Sequence, residues 1–335
     1  MQSRDGASPS LPDGPITTLD AWRGPELAGD GSWTYRLTED DVSELLAARA
    51  AAGSRGPWRT WNRSEFPLPR LGPRIAQWMR ELDLGPGFKL IRGFPVDQHS
   101  KEVCAEIYWG LGLHMGRAIS QNTDGDLLGH VRDTGADPKA YGVRLYKTRA
   151  EQDFHTDGAD VIGLFCLRRA RSGGVSRIVS SSAIYNAMLA ERPDLTGVLF
   201  SNFPFDTQGQ HPPGGQPWFE RPLCRWDGVR LNTFFIPWYI RESQQHPNAP
   251  RLTPDQAAAI AFIETKANDP AFHLDMNFEP GDMQFLKNAA ILHKRTEYED
   301  WEAPDLKRHL LRLWLVEPDF SAGDERLRRG VSQGA

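Results

Sequence analysis

Two histidine–carboxylate pairs share one spacing in this chain, His155-Thr-Asp157 and His273-Leu-Asp275. In an extended strand, residues i and i+2 point to one face, so such a pair can present an imidazole and a carboxylate to a common ion. With nine histidines and 44 acidic residues in 335, the pattern is an expected coincidence, and its ordinary use is a surface or hydrogen-bonded structural role. A third ligand decides between the readings. His293 follows Glu279-Pro-Gly-Asp-Met-Gln-Phe285, a turn into a strand, and the apolar run Ala289 to Leu292. Two imidazoles and one carboxylate that leave coordination positions open are the donor set of the facial triad that holds non-haem Fe(II). His273-Leu-Asp275 lies just before the Pro-Gly turn and 20 residues from His293, so it takes the structural role.

A second signal is Lys307-Arg-His-Leu-Leu-Arg-Leu-Trp-Leu-Val316. Read as a strand, it places Arg308, Leu310, Arg312 and Trp314 on one face and His309, Leu311, Leu313 and Leu315 on the other. The second face is packing. The first sets two guanidinium groups among large apolar side chains, where each needs an anionic partner. That partner is either an acidic residue from another strand or an anionic ligand.

Around these residues the expected frame is rich in β-structure. Helices are predicted over Thr38 to Ala52, Leu71 to Leu84, Lys101 to Leu113, Ser182 to Leu189 and Thr253 to Lys266. Strands are predicted over Phe88 to Phe94, Leu127 to Val131, Val143 to Thr148, Val161 to Leu167, Arg177 to Ser180, Val229 to Phe235, Met283 to Phe285 and His309 to Val316. This order suits a sandwich or barrel rather than alternating βαβ units. Residues 1–32 read as a flexible lead-in, 33–320 as one domain with a lid insert around 203–226, and 321–335 as a flexible tail.

Composition narrows the classes further. Hydrophobic residues make up 39% and charged residues 25%, with 31 Gly, 25 Pro and a net charge of −5, a globular profile without a basic stripe for nucleic acid or an anionic membrane. Cys104, Cys166 and Cys224 are an odd number with no CxxC, which fits a reducing cytoplasm. The amino terminus lacks the apolar stretch of a secretory signal, and no apolar run is long enough to span a bilayer. No GxGxxG, GxxxxGK[ST] or GxSxG occurs, which removes the usual support for nucleotide folds and serine hydrolases.

Four segments taken together carry a resemblance: Phe154-His-Thr-Asp-Gly158, Ser172-Gly-Gly-Val-Ser176, Pro280-Gly-Asp-Met-Gln-Phe-Leu-Lys-Asn-Ala-Ala-Ile-Leu-His-Lys-Arg-Thr296 and Arg308-His-Leu-Leu-Arg312. In order, over about residues 88–317, the chain resembles the TauD/TfdA-like Fe(II)- and 2-oxoglutarate-dependent dioxygenases. The resemblance implies a mainly β fold with flanking helices, a double-stranded β-helix or jelly-roll dioxygenase core. It implies His155, Asp157 and His293 as iron ligands and Arg308 as the clamp on the far carboxylate of 2-oxoglutarate. Ser176 stands where relatives carry a threonine on that carboxylate, and Arg312 matches a second arginine that touches the cosubstrate or the substrate. The spacing from His293 to Arg308 is longer than in the taurine enzyme, with an insert at 297–306.

The implied activity couples oxidative decarboxylation of 2-oxoglutarate to succinate with hydroxylation, desaturation or cyclisation of a small molecule, dioxygen being the cosubstrate. Asp157 stands where related halogenases carry a small residue, which favours oxygenation. Substrate contacts are expected from Gln121, Asn122, Tyr146, Phe154 and Arg312, with a mobile lid at 208–216. Arg144 and Arg225 are read as solvated or salt-bridged. Two other readings use the same three residues: a jelly-roll sensor of metal or 2-oxoglutarate without turnover, and a zinc- or manganese-dependent hydrolase or isomerase. The two arginines favour the oxygenase, since a hydrolase has no need of a dicarboxylate clamp.

Overall fold

The computed structural model describes residues 11–122 and 124–317. Its helices begin where side chains can satisfy the free amides of the first turn. Thr38 and Asp41 cap each other at the start of Glu39–Gly53, and Thr253 and Gln256 do so at Pro254–Asn268. Leu71–Leu84 buries Leu71, Ile75, Trp78 and Leu82, which lie three or four residues apart on one face, and stops at Gly85.

The strands form two main sheets. The larger runs in the order Thr34–Arg36, Phe88–Arg92, Met283–Lys287, Val161–Arg168, His309–Val316 and Arg117–Ala118, with Leu128–Val131 also paired to His309–Val316. The smaller runs Leu274–Met276, Ser176–Ser180, Ile291–Arg295, Gln152–His155. Most neighbours are antiparallel; the Thr34–Arg36 and Phe88–Arg92 pair is parallel. Two facing sheets built from chain-distant strands, with helices packed outside, make the jelly-roll core.

Alternation along the strands divides the apolar residues among three cores. Leu310, Trp314, Ile162, Cys166, Ile178 and Met276 pack between the sheets. Leu311, Leu313, Leu315, Val161 and Phe165 pack on the other side of the larger sheet against Ile75, Trp78, Tyr108 and Leu111 of the helices. A third core lies outside the smaller sheet and joins Val179, Leu292, Phe203, Phe205, Ile240 and Ile263.

Two expectations change. Residues 11–32 are not a loose lead-in: Ile16 and Trp22 are buried, the Trp22 indole donates to the Pro86 carbonyl at 2.7 Å, and Gly24–Ala28 is helical. Apolar anchors spaced among polar residues escape a compositional reading. The lead-in at 1–10 and the tail at 321–335 lie outside the described residues. Val143 to Thr148 is not a strand but a loop with a 3-10 turn at Leu145–Lys147. The carbonyls of Leu145, Thr148 and Ala150 accept from the Arg295 guanidinium instead of a neighbouring strand. The segment around 203–226 is anchored as a hairpin, Asn202–Asp206 against Trp218–Pro222, with Phe203 and Phe205 fully buried.

Close helix packing yields a test. A Cβ on Gly110 would stand 2.3 Å from the Phe66 ring, an aromatic wall with little room to yield. Gly110→Ala should cost about 1–3 kcal/mol and lower the thermal midpoint in a scanning-fluorimetry melt; an unchanged midpoint would contradict this packing.

Candidate metal centre

The antiparallel pairing of Gln152–His155 with Ile291–Arg295 sets His155 directly opposite His293, although 138 residues separate them in sequence. Their ring centroids are 4.3 Å apart. The strand ends at His155, so Asp157 is not carried by strand alternation, as the sequence suggested. It is carried by the turn that follows. Thr156 exchanges hydrogen bonds with the Phe235 backbone, its amide donating at 2.8 Å and its hydroxyl accepting at 2.9 Å. The Asn288 side chain accepts from the Asp157 amide and donates to the Asp157 and Ala159 carbonyls, each at 2.8 Å.

One ligand atom from each of His155, Asp157 and His293 lies within 4.8 Å of the other two, close enough for a single ion. Asp157 Oδ1 is 3.8 Å from His155 Nε2, and Oδ2 is 3.6 Å from His293 Nε2. Trp314 donates its indole N–H to Oδ2 at 3.0 Å, and Arg312 Nη1 stands 3.5 Å from the same oxygen. Burial alone would raise the Asp157 carboxyl, but Arg312, then His293 and His155, outweigh it and hold it well below the usual carboxylate range. Burial and the adjacent His293 pull the His155 imidazole down to about 3, so the ring is neutral at pH 7. Its Nδ1 faces the Asp153 carbonyl at 2.7 Å, which makes Nδ1 the donor and leaves the Nε2 lone pair to accept from Gln152 at 3.0 Å. Two imidazoles beside an ionised carboxylate suit a divalent first-row ion. His293 Nδ1 is buried with no hydrogen-bond partner.

Next to these donors is a cavity whose lining includes Ser176, Arg295, Arg308 and Arg312. Arg308 is 4% exposed, its Nη1 has no hydrogen-bond partner, and among the described residues no carboxylate lies within 4.0 Å of its guanidinium, although Asp300 accepts from its backbone amide at 2.8 Å. Its guanidinium instead lies over the Tyr298 ring at 5.1 Å, and burial lowers its pKa. Gly174 makes room for it: a Cβ there would sit 3.0 Å from Arg308 Nε, and φ of +68° favours glycine. Arg312 is differently placed. It reaches Asp157, donates from Nε to Gln121 at 2.7 Å and stacks on Tyr146 at 4.6 Å. A second cavity also borders His155 and Asp157, walled by Tyr146, Phe219, Phe234, Trp238, Tyr239 and Trp314.

Some expected substrate residues lie elsewhere. Gln121 is 2% exposed and spends its amide on the Arg312 guanidinium and on the Arg312 and Leu127 carbonyls, so it orients Arg312 from behind. Asn122 folds its side chain onto the Asp124 and Asp126 amides in a local turn. Phe154, adjacent to His155 in a strand, points to the opposite face and packs against His273. His273 itself faces the Ala267 carbonyl at 3.1 Å, away from the three ligands. Arg144 lines the aromatic cavity and donates to the Tyr239 hydroxyl at 2.7 Å. Sequence reasoning missed Gln152, Asn288, Trp238 and Tyr239. Asn288 had a usable signal, being five residues before His293 in the same motif; Trp238 and Tyr239 sit on a short helix, Pro237–Ser243, that no pattern announced.

Comparison with known proteins gives a consistent result. The taurine catabolism dioxygenase TauD, TfdA family model matches residues 51–314. The chain is 30% identical over 306 residues to FR-33289 synthase of Streptomyces rubellomurinus, covering 90% of each. It is 30% identical over 328 residues to the taurine hydroxylase-like protein SAT17 of Stachybotrys chartarum, covering 93% of this chain and 82% of that one. Among solved structures, an asparagine oxygenase in complex with Fe(II), 2S,3S-3-hydroxyasparagine and succinate superposes with a TM-score of 0.66 at 15% identity, over 84% of this chain and 93% of that one. The non-haem iron oxygenase OrfP in complex with Fe and alpha-ketoglutaric acid gives 0.62 at 16% identity, over 84% and 94%. At these identities the two structures show a shared fold.

The geometry separates the two His-x-Asp pairs experimentally. In anaerobic equilibrium dialysis with Fe(II), the wild type and His273→Ala should each bind about one equivalent. Trp314→Phe should bind about 10-fold more weakly and Asp157→Ala more weakly still. Loss of binding in His273→Ala would contradict the assignment.

Proposed function

The chain belongs to the taurine catabolism dioxygenase TauD, TfdA family and is an Fe(II)- and 2-oxoglutarate-dependent oxygenase, and on that premise we propose which of its residues do the work. His155, Asp157 and His293 hold the iron. Arg308 holds the far carboxylate of 2-oxoglutarate, with Ser176 on the same wall and Arg312 between the cosubstrate and the carboxylate ligand. The substrate is a small molecule that occupies the aromatic cavity beyond His155. The observation that carries this reading is the Arg308 guanidinium, buried without a carboxylate partner in the cavity that also borders all three ligands. A buried cation left in that state is costly, and a dicarboxylate relieves it. This favours an oxygenase over a hydrolase or isomerase, neither of which needs the clamp, and turnover distinguishes it from a sensor.

When bound, the iron and 2-oxoglutarate supply the oxidising chemistry, in which one atom of dioxygen goes to succinate, as carbon dioxide is lost, and the other to a substrate C–H bond. The chain's own residues set the conditions. The Asp153 carbonyl fixes the His155 tautomer with Nε2 free to ligate, and Gln152 must release that nitrogen. Trp314 and Arg312 hold one carboxylate oxygen of Asp157, which fixes the carboxylate that would serve as a metal ligand. Arg295 anchors the 145–150 segment to the strand of His293, so the wall that carries Tyr146 is tied to the metal strand. The apolar walls exclude water while one C–H bond is placed for reaction.

No helix among the described residues is long and apolar enough to cross a membrane. Cys104, Cys166 and Cys224 are free and buried, with thiols pushed up to about 11, 12 and 12 by burial, which supports a place in the cytoplasm. A small-molecule library screened with Fe(II), 2-oxoglutarate and air should yield compounds that stimulate succinate release. With such a compound, Arg308→Ala should raise the KM for 2-oxoglutarate on the order of 100-fold, the scale of an unpaired buried charge. An unchanged KM would remove Arg308 from the clamp, and absence of succinate with every compound would count against turnover.

A further inference from the structure

The aromatic cavity has a cationic corner that the iron and 2-oxoglutarate sites do not use. Among the described residues lining it, the charged groups besides the metal ligand Asp157 are Arg312 and Arg144. Arg312 is committed to Gln121 and Asp157. Arg144 is not. Its Nη1 donates to the Tyr239 hydroxyl at 2.7 Å, its Nη2 is buried with no hydrogen-bond partner, and no carboxylate lies within 4.0 Å of it among the described residues. The nearby acids are occupied. Asp206 accepts from the Gln208 amide at 2.5 Å, from Tyr141 at 3.2 Å and faces His246 at 2.5 Å, while Glu242 accepts from the Gln208 side chain.

The Tyr239 hydroxyl accepts from Arg144, so its own hydrogen remains to be donated. Two adjacent donors, one of them charged, therefore line the same cavity as His155 and Asp157. They come from separate elements, Arg144 from the loop before the Leu145–Lys147 turn and Tyr239 from the Pro237–Ser243 helix, so the pair exists only in the folded chain. Arg144 is half-buried, and its partnerless Nη2 is matched by an oxyanion, which a guanidinium binds through charge-assisted hydrogen bonds.

We propose that Arg144 and Tyr239 form a subsite for an anionic head group of the substrate, a carboxylate or a tetrahedral oxyanion, which directs the uncharged remainder of the molecule along the aromatic walls toward the metal. The inference rests on the functional reading above and deepens it. The head group and 2-oxoglutarate are then held by different arginines, Arg144 and Arg308, each lining one of the two cavities that border His155 and Asp157.

The test uses the full chain loaded anaerobically with Fe(II) and saturating 2-oxoglutarate, so that the Arg308 side is filled. Three probes are titrated calorimetrically: 3-phenylpropionate, 2-phenylethylphosphonate and the neutral 3-phenylpropionamide. At least one of the two anions should bind about tenfold or more tightly than the amide, and the tighter one tells carboxylate from tetrahedral oxyanion. Arg144→Gln should erase the preference, Arg144→Lys should restore part of it, and Tyr239→Phe should reduce it, while all three variants keep wild-type affinity for 2-oxoglutarate, which also reports their folding. Equal binding of anions and amide, or a preference that survives Arg144→Gln, would overturn the subsite alone. Failure of the wild type to bind 2-oxoglutarate would overturn the functional reading and the inference together.

Discussion

The site depends on one strand pairing. His155 and His293 are cross-strand partners in the smaller sheet, and that register alone brings two imidazoles from distant parts of the chain to a ring separation of 4.3 Å. A one-residue slip would turn one of the two rings to the opposite face of the sheet. The register is held from both sides. Ile291–Arg295 is also paired to Ser176–Ser180 over five residues, and the turn after His155 is tied down by Asn288 and Phe235. Asp157 can sit outside the strand and still aim at the same point because its backbone is bonded to the Asn288 side chain.

The second organising feature is the distribution of charge. Arg295, Arg308 and Arg312 are all buried and converge on the space beside one ionised carboxylate, Asp157. Each is handled differently. Arg295 is neutralised by no acid but saturates backbone carbonyls, and burial with the adjacent Arg308 pushes it down to about 10. Arg312 is shared between Asp157 and Gln121. Arg308 has aromatic contact and a place in the cavity, but among the described residues no carboxylate within 4.0 Å of its guanidinium, Asp300 bonding only its backbone amide. Among the described residues lining this cavity, three guanidinium groups thus stand against one carboxylate, the charge balance on which the proposed clamp for a dianionic cosubstrate rests.

Much of this frame was legible in the residues, for identifiable reasons. The His309–Val316 strand declared itself because its two faces differ in kind, and the structure divides them as read, Leu311, Leu313 and Leu315 toward the helices and Leu310 and Trp314 between the sheets. The helices with capping pairs or spaced apolar residues fell within a few residues of their observed ends. What could not be read was anything decided by long-range hydrogen bonds. Val143 to Thr148 has the composition of a strand but spends its carbonyls on Arg295, nearly 150 residues away. Gln121 is expected at the pocket because the family resemblance places pocket walls there, and only the fold shows it locked behind Arg312. Arg144 looked like an ordinary surface cation, and its position against Tyr239 depends on the packing of a separate helix. Polar residues in loops take their roles from tertiary neighbours, whereas periodic apolar residues carry theirs locally.

The central claim is that three ligands from two strands and a turn make one centre that binds iron and 2-oxoglutarate together. Fe(II) chelated by a 2-oxo acid develops visible charge-transfer absorption only when both occupy the same site, so an anaerobic titration reads the claim directly. The account predicts that this absorption appears in the wild type when both are present, saturates at one equivalent of Fe(II) per chain, and is lost in His293→Ala. Absorption of undiminished strength in His293→Ala, or none in the wild type with both components at saturation, would contradict it.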